Sequence, residues 1–426
     1  MRWPRFPLRR SAGPLVRLPV LLTLLLAPPL PAQSPRPACA PDNGGLTLPA
    51  GFCAVVVGEN LGPVRHLAVA PNGDVWAAKR GNEGGVVVLR DTTGDGRADV
   101  VRRFYAERMA GAAGSGIALT ADALYYAAND RVLRFAWAAG ASEPDTTPTT
   151  VVRGLPVGGH AAKGIAIGKD GALYVSLGSL TNSCQIRDRQ NAAAGHQPCH
   201  ELEQRAGVWK FDSRGEGQHA YLGARFATGL RNPMALAIEP NTGTLYAAVH
   251  GRDQLTENWG WPAEAGRENP AEELFALTQG TDGGWPYCFY DPRKKQKLQT
   301  PEYGGDGTKA GDCASKAAPA VAFPAHWAPN ATLFYTGTQF PEAYRGGAFI
   351  AFHGSWNRGP APQEGYRVVF VPFRNGRAAA TYETFAAPSS SPTGIRPSGL
   401  AVGPDGSLYI GADAQGKVWR VMYTGQ

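Results

Sequence analysis

One phrase, repeated along the chain, constrains the fold more than any other feature. It runs Leu67-Ala68-Val69-Ala70-Pro71-Asn72-Gly73-Asp74-Val75-Trp76, returns as Ile165-Ala166-Ile167-Gly168-Lys169-Asp170-Gly171-Ala172-Leu173-Tyr174, and returns again as Leu400-Ala401-Val402-Gly403-Pro404-Asp405-Gly406-Ser407-Leu408-Tyr409. In each copy two short apolar strands flank Asn-Gly or Asp-Gly, a pair that tolerates the positive φ of a tight turn, so each is expected to be a hairpin. Ile117 to Ala128 keeps the pattern with a shorter turn at Ala121-Asp122, and Leu236 to Val249 lengthens the turn to Glu239-Pro240-Asn241-Thr242-Gly243. The hairpins start at 67, 117, 165, 236 and 400, giving separations of 50, 48, 71 and 164 residues. The last gap has room for another unit, and Phe349-Ile350-Ala351-Phe352 supplies a strand for it. Radially repeated four-stranded sheets take roughly 40 to 50 residues each. The expected architecture is therefore all-β, a six-bladed β-propeller of four-stranded blades in one domain, with insertions at Thr181 to Glu203 and Trp259 to Trp327. A β-sandwich or a β-helix would not give this hairpin period; two smaller β domains are the alternative.

The first 32 residues read differently. Arg2, Arg5, Arg9, Arg10 and Arg17 surround an apolar run from Leu18 to Ala27, and Pro-Pro-Leu-Pro-Ala ends at Ala32. This is the pattern of a secretory signal peptide at 1–32, which assigns 33–426 to the propeller. The apolar run is about half the roughly 20 residues a bilayer-spanning helix needs, so no stable membrane span is expected. Those five arginines also carry most of the net charge of +7: without them 37 basic residues face 35 acidic ones, a balance of +2, which gives no argument for nucleic acid. With 43% hydrophobic and only 18% charged residues, the chain is not a disordered one.

Export to a secreted or periplasmic location suits the even count of six cysteines. Fifteen pairings are open, and neighbours in sequence are expected to join: Cys39 to Cys53, Cys184 to Cys199, Cys288 to Cys313. His196 and His200 flank Cys199, but Pro198 opposes the helix that would align them on a zinc ion. There is no Cys-x-x-Cys-His, hence no covalently attached haem.

Five segments carry residues suited to chemistry: Gly159-His160, Gly229-Leu230-Arg231-Asn232-Pro233, His250-Gly251-Arg252-Asp253, Gly284-Trp285-Pro286-Tyr287 and His353-Gly354-Ser355-Trp356-Asn357-Arg358. In this order, and placed against the hairpins, they resemble the pyrroloquinoline-quinone (PQQ) dependent soluble glucose and sorbosone dehydrogenases, with the last three segments more similar to the sorbosone-type branch. The resemblance covers about Leu48 to Met422. It implies a six-bladed propeller that oxidises an aldose or a sugar-derived aldehyde and passes electrons to a separate acceptor. His160 matches the catalytic base, a role that suits an imidazole titrating near working pH. Arg231 and Asn232 match the quinone-contacting pair, and Arg396 sits where the family places another basic residue. Arg358 is added as a further guanidinium fitted to the cofactor's carboxylates. The family's calcium is expected on the carbonyls of Gly251 and Arg252, and Glu273 matches a ligand of a second, structural calcium. Where glucose-oxidising members carry an Asp that orients the base, this chain has Ser179, so a weaker or differently oriented base is expected. The family's Gln between the first two blades finds no counterpart around Ala110 to Ser115. Asp91 to Asp99 opens like a calcium loop, but Arg102 stands where the closing Glu belongs, and a plain turn is expected. The competing readings are a calcium-dependent propeller lactonase and a non-catalytic ligand-binding propeller.

Overall fold

The computed structural model describes residues 1–8, 13, 37–81, 84–104, 113–220, 224–391 and 393–425. Residues 1–8 and Gly13 have no regular secondary structure, and the rest of the expected signal peptide lies outside the described residues.

The repeated hairpins form as read, and for the same local reason each time. Gly73, Gly171 and Gly406 take φ of +91°, +81° and +83°. Each donates its N–H to the residue three back, at 2.8, 3.0 and 2.9 Å. The side chain before each glycine (Asn72, Asp170, Asp405) accepts the N–H two residues on, at 3.1, 3.1 and 3.2 Å. Such an Asx turn fixes the bend without tertiary help.

Strands that follow these turns are buried on both faces. In Ala123–Ala128 the side chains of Leu124, Tyr126 and Ala128 pack with Trp76 and Val88 of the preceding sheet, whereas Ala123, Tyr125 and Ala127 pack with Val175 and Trp209 of the next. Alternation along a strand thus serves two interfaces at once. Repeated around the ring, it builds six sheets separated by six apolar wedges, each drawing on two neighbouring blades. The inner strands are Val64–Val69, Gly114–Thr120, Ile165–Ile167, Ala235–Ile238, Pro329–Phe334 and Pro397–Val402. They surround a cavity of about 440 Å³ lined by such residues as Leu67, Ile117, Leu236 and Leu333. The last blade is completed by Phe52–Gly58, from the start of the sheet domain, which pairs antiparallel with Lys417–Tyr423.

The structure refines one detail of the sequence reading and corrects another. Phe349 to Phe352 belongs to the second strand of the fifth blade, Ala348–Phe352; the inner strand is Pro329–Phe334. The expected insertion at Trp259 to Trp327 contains two blade strands, Glu272–Leu277 and Val321–Phe323. The added material therefore falls into a helical piece, with Leu255–Trp259 and Ala263–Glu268, and a hairpin, Cys288–Asp291 with Gln296–Gln299. All three neighbour disulfides are present. Asp91 and Asp99 turn their carboxylates onto backbone N–H groups of 92–96, so that loop is a turn. Among the described residues no helix is long and apolar enough to cross a membrane.

Candidate active site

In every blade the chain enters the inner strand at the same rim at which the second strand ends. Residues just before an inner strand, or just after a second strand, therefore gather around one mouth of the channel. His160, Arg231, His326 and Arg396 are of the first kind; His250 to Asp253, His353 and Asp413 are of the second.

His160 is fixed by main chain. Its ring Nδ1 lies 2.9 Å from the carbonyl oxygen of Ser179 and 3.1 Å from that residue's Oγ, which itself donates to the Thr181 carbonyl at 2.7 Å. A carbonyl can only accept, so the proton is on Nδ1 and Nε2 is the basic nitrogen. Ser179 in turn donates its N–H to the Arg231 carbonyl at 2.8 Å. Gly178 keeps the group together: a Cβ there would lie 2.5 Å from the His160 Cβ and 2.8 Å from the Asn232 side-chain oxygen. Burial, and next the charge of Arg231, push the His160 imidazole down to about 3. His160 is therefore neutral across the working range of most enzymes.

Arg231 is 4% exposed. It donates to Asn182 O (3.1 Å), Asn182 Oδ1 (3.1 Å), Gly251 O (2.7 Å) and Asp253 Oδ2 (3.2 Å). These bonds account for four of the five N–H groups of a guanidinium, and the remaining one is on Nη1. Trp285 Nε1 also donates to Asn182 O, at 3.0 Å, which explains the Gly-Trp-Pro segment as a brace beneath the arginine.

Asp253 closes the His250-Gly251-Arg252-Asp253 segment and is the electrostatic centre of the mouth. Its Oδ2 meets Arg231 and Arg189, its Oδ1 accepts from Asn357 Nδ2 at 2.8 Å, and His326 Nδ1 is 3.8 Å away. Burial opposes its charge, but Arg231, His326 and Arg189 outweigh burial and hold the carboxyl well below its ordinary value. Glu272 fastens the scaffold, accepting the N–H of Gly251 at 2.8 Å and of Ala328 at 3.0 Å, and burial pushes it up to about 7. Gln254, His326 and Ala328 all have positive φ, between +59° and +66°, so non-glycine backbone strain collects around this network.

The other expected residues divide. Arg396 is on the mouth, with Nη1 3.1 Å from His353 Nδ1 and its guanidinium 4.9 Å from the Tyr366 ring centroid. Arg358, expected on the cofactor, is instead a buried brace. It donates to the carbonyls of Arg267 and Ala325 and pairs with Glu268 and Glu364, tying the Ala263–Glu268 helix to its own loop.

Of the expected calcium ligands, Glu273 is engaged by a protein cation. Glu273 has the Lys297 ammonium 2.6 Å from Oε1, and that ammonium also donates to the Gly283 carbonyl at 2.8 Å. A protein cation thus stands where a structural metal was expected. Gly251 gives its carbonyl to Arg231, the Arg252 guanidinium is locked on Glu302 at 2.6 Å, and the neighbouring carboxylate of Asp253 is already shared among Arg231, Arg189 and Asn357. Among the described residues no cluster of three acidic, histidine or cysteine side chains forms a metal site. Glu273, held by Lys297, does not fit a calcium ion.

A quinone carrying carboxylates fits the mouth better. Arg396 lies at its edge, one Arg231 N–H remains, and Arg65, which sequence reasoning missed, has Nε and Nη1 buried without a hydrogen bond. No motif surrounds Arg65 to mark it.

The fold has relatives. The Carbohydrate-Active Enzymes Family AA12 protein of Trichoderma reesei, in its calcium structure, superposes with a TM-score of 0.74 at 19% identity, over 92% of this chain and 99% of that one. The holo PQQ domain of the Coprinopsis cinerea pyranose dehydrogenase gives 0.70 at 18%, over 91% and 98%. By sequence, an uncharacterised protein of Borreliella burgdorferi is 31% identical over 204 residues, 46% of this chain and 48% of that one. The Coprinopsis cinerea protein named PQQ-dependent pyranose dehydrogenase is 26% identical over 230 residues, 45% of this chain and 30% of that one. The chain thus matches half or less of the length of these curated relatives. One family model, however, runs from residue 46 to residue 424, through all six blades and every residue of the mouth, and the chain belongs to that TrAA12-like family.

Proposed function

We propose that the chain is an exported quinoprotein oxidoreductase that oxidises an aldose or a sugar-derived aldehyde and hands electrons to a separate acceptor. The observation that carries the reading is His160: a neutral imidazole whose Nδ1–H is spent on main chain, beside a buried guanidinium, at the mouth of a propeller channel. The relative named as a PQQ-dependent pyranose dehydrogenase and the holo PQQ domain support the cofactor class. Three disulfides support an oxidising compartment.

Bound PQQ would supply a two-electron acceptor for hydride. The protein's part is acid–base and electrostatic. His160 Nε2 takes the proton from the hydroxyl on the sugar carbon being oxidised, and Ser179 O holds the ring so that the proton arrives at that nitrogen. Arg231, fixed by Asn182, Gly251 and Asp253, keeps positive charge at the site where negative charge develops, without reorganising during the step. Asn232, at Gly178 beside His160, and Arg396 on the far rim contribute polar contacts that orient the ligand. No step is assigned to calcium.

The test is titration of the purified chain with PQQ, followed by absorbance, and then aldose-dependent reduction of an artificial dye. Saturable quinone binding with dye reduction is expected. Lactone hydrolysis without quinone, or no quinone binding, would replace this reading.

A further inference from the structure

Arg65 is the second residue of the first inner strand, Val64–Val69, and only 9% exposed. A guanidinium at that depth is ordinarily satisfied on all sides, because leaving a buried charged donor unpaired is costly. Among the described residues Nε and Nη1 have no hydrogen bond, and the ion pair to Asp413 Oδ2 is 3.4 Å long. Burial lowers the group only to about 10, so it stays charged.

The surroundings form a chain of contacts. Asp413 Oδ1 is 2.7 Å from His353 Nε2, and His353 Nδ1 is 3.1 Å from Arg396 Nη1. Guanidinium nitrogens only donate, so His353 accepts at Nδ1, carries its proton on Nε2 and is neutral. Asp413 is then the single negative charge between Arg65 and Arg396, and the exposed Arg80 adds a further positive charge acting on both Arg65 and Asp413. Arg396 is also held by the Tyr366 hydroxyl at 3.2 Å. Two guanidiniums are therefore propped apart by a His–Asp pair, with donors left over.

Their place in the ring gives the set a purpose. Arg65 is on the first blade and Arg396 enters the sixth, while Arg231 enters the fourth and His160 the third. In a ring of six, the first blade faces the fourth and the sixth faces the third. We propose that Arg65 and Arg396 form a carboxylate clamp across the mouth from His160 and Arg231. The ligand class is a planar or compact polycarboxylate. On the quinone reading, on which this inference rests, the carboxylate belongs to the cofactor; the same clamp would take the acid group of a uronic sugar.

The experiment compares the wild-type chain with Arg65→Gln and Arg65→Lys. Quinone Kd should rise about 10- to 100-fold in Arg65→Gln, as for a lost charge-assisted hydrogen bond, with Arg65→Lys in between because it keeps charge but not the fork. The trimethyl ester of PQQ should bind all three proteins equally weakly. If the acid is the substrate's, quinone Kd stays constant and KM rises for glucuronate but not for glucose. Should the wild type bind no quinone, the cofactor reading fails separately, and the clamp is read from citrate: a citrate-induced rise in Tm in the wild type that Arg65→Gln loses supports it. Equal Kd and KM in all three proteins, or in that second case an equal Tm response to citrate, overturns it. Comparison of Tm without ligand shows whether each variant is folded.

Discussion

Removing the Ser179 hydroxyl should cost the proposed reaction little. The acceptor for His160 Nδ1 at 2.9 Å is a main-chain oxygen, which any residue at 179 presents, and the hydroxyl is a second acceptor at 3.1 Å. Ser179→Ala is expected to keep kcat/KM within about tenfold, whereas His160→Ala loses about 100-fold or more, the range for a lost general base. A 100-fold loss in Ser179→Ala would mean that the side chain orients the ring. The pH profile follows from the same geometry. His160 is the active base in its neutral form, and with its folded value near 3 rather than 6.5 the acid limb of kcat/KM should lie well below pH 6. Burial brings both Glu272 and Lys163 to about 7, so an inflection near pH 7 belongs to Glu272 only if it vanishes in Glu272→Gln. Its sign is the reverse for stability: a carboxyl whose folded value is raised stabilises most below its ordinary 4.5 and loses that contribution as pH climbs through 7. That His160 and Arg231 come together at one mouth was legible because each sits in a local motif. Asp253 joined to His326, and Arg65 joined to Asp413, were not, because partners 73 and 348 positions apart leave no local pattern.

Within single elements, hairpins whose turns are written in two or three residues were readable, and those closed by long loops were not. The fifth blade shows the difference. Its inner strand, Pro329–Phe334, reaches the second strand only after residues 335–347, which include the short turn Glu342–Tyr344, so no Asn-Gly marks the pair. The hairpin Cys288–Asp291 with Gln296–Gln299 is closed by four residues, 292–295, but with neither Asn-Gly nor Asp-Gly among them it matched no copy of the phrase, and it carries Lys297 onto Glu273. That pair makes a prediction at this scale. Both side chains are nearly buried, at 4% and 12% exposure, so Lys297→Ala leaves an unpaired buried carboxylate. A loss of about 3 to 5 kcal/mol is expected, and Lys297→Met with Glu273→Gln should restore most of it. A chelator should leave the wild-type Tm unchanged. A fall in Tm with chelator, reversed by calcium, would restore a metal to this loop.

For the molecule as a whole, the ring is closed without covalent continuity, since a strand from the start of the sheet domain, Phe52–Gly58, completes the last blade, while Leu46–Thr47 before it pairs with Glu383–Pro388 of the fifth. The burden falls on Phe52. Its ring makes edge contacts with Phe340, Tyr344, Phe385 and Tyr423, at 4.8 to 5.3 Å, and so ties the fifth blade to the sixth at the point of closure. The repeats announced six blades but not which strand would shut the ring, because Phe52–Gly58 belongs to no copy of the phrase. Cys53, next to Phe52, is joined to Cys39, which shortens the excursions of the closing strand in the unfolded chain. Phe52→Ala should cost about 3 to 5 kcal/mol, the usual range for emptying a buried aromatic site. The six wedges are each shared by two blades, so loss at one boundary should propagate around the ring. Thermal unfolding of Phe52→Ala is therefore expected as one transition at lower temperature, with calorimetric and van't Hoff enthalpies equal. Two resolved transitions, the lower one alone shifted, would mean that the closing blade unfolds by itself and that the wedges do not couple it to the rest.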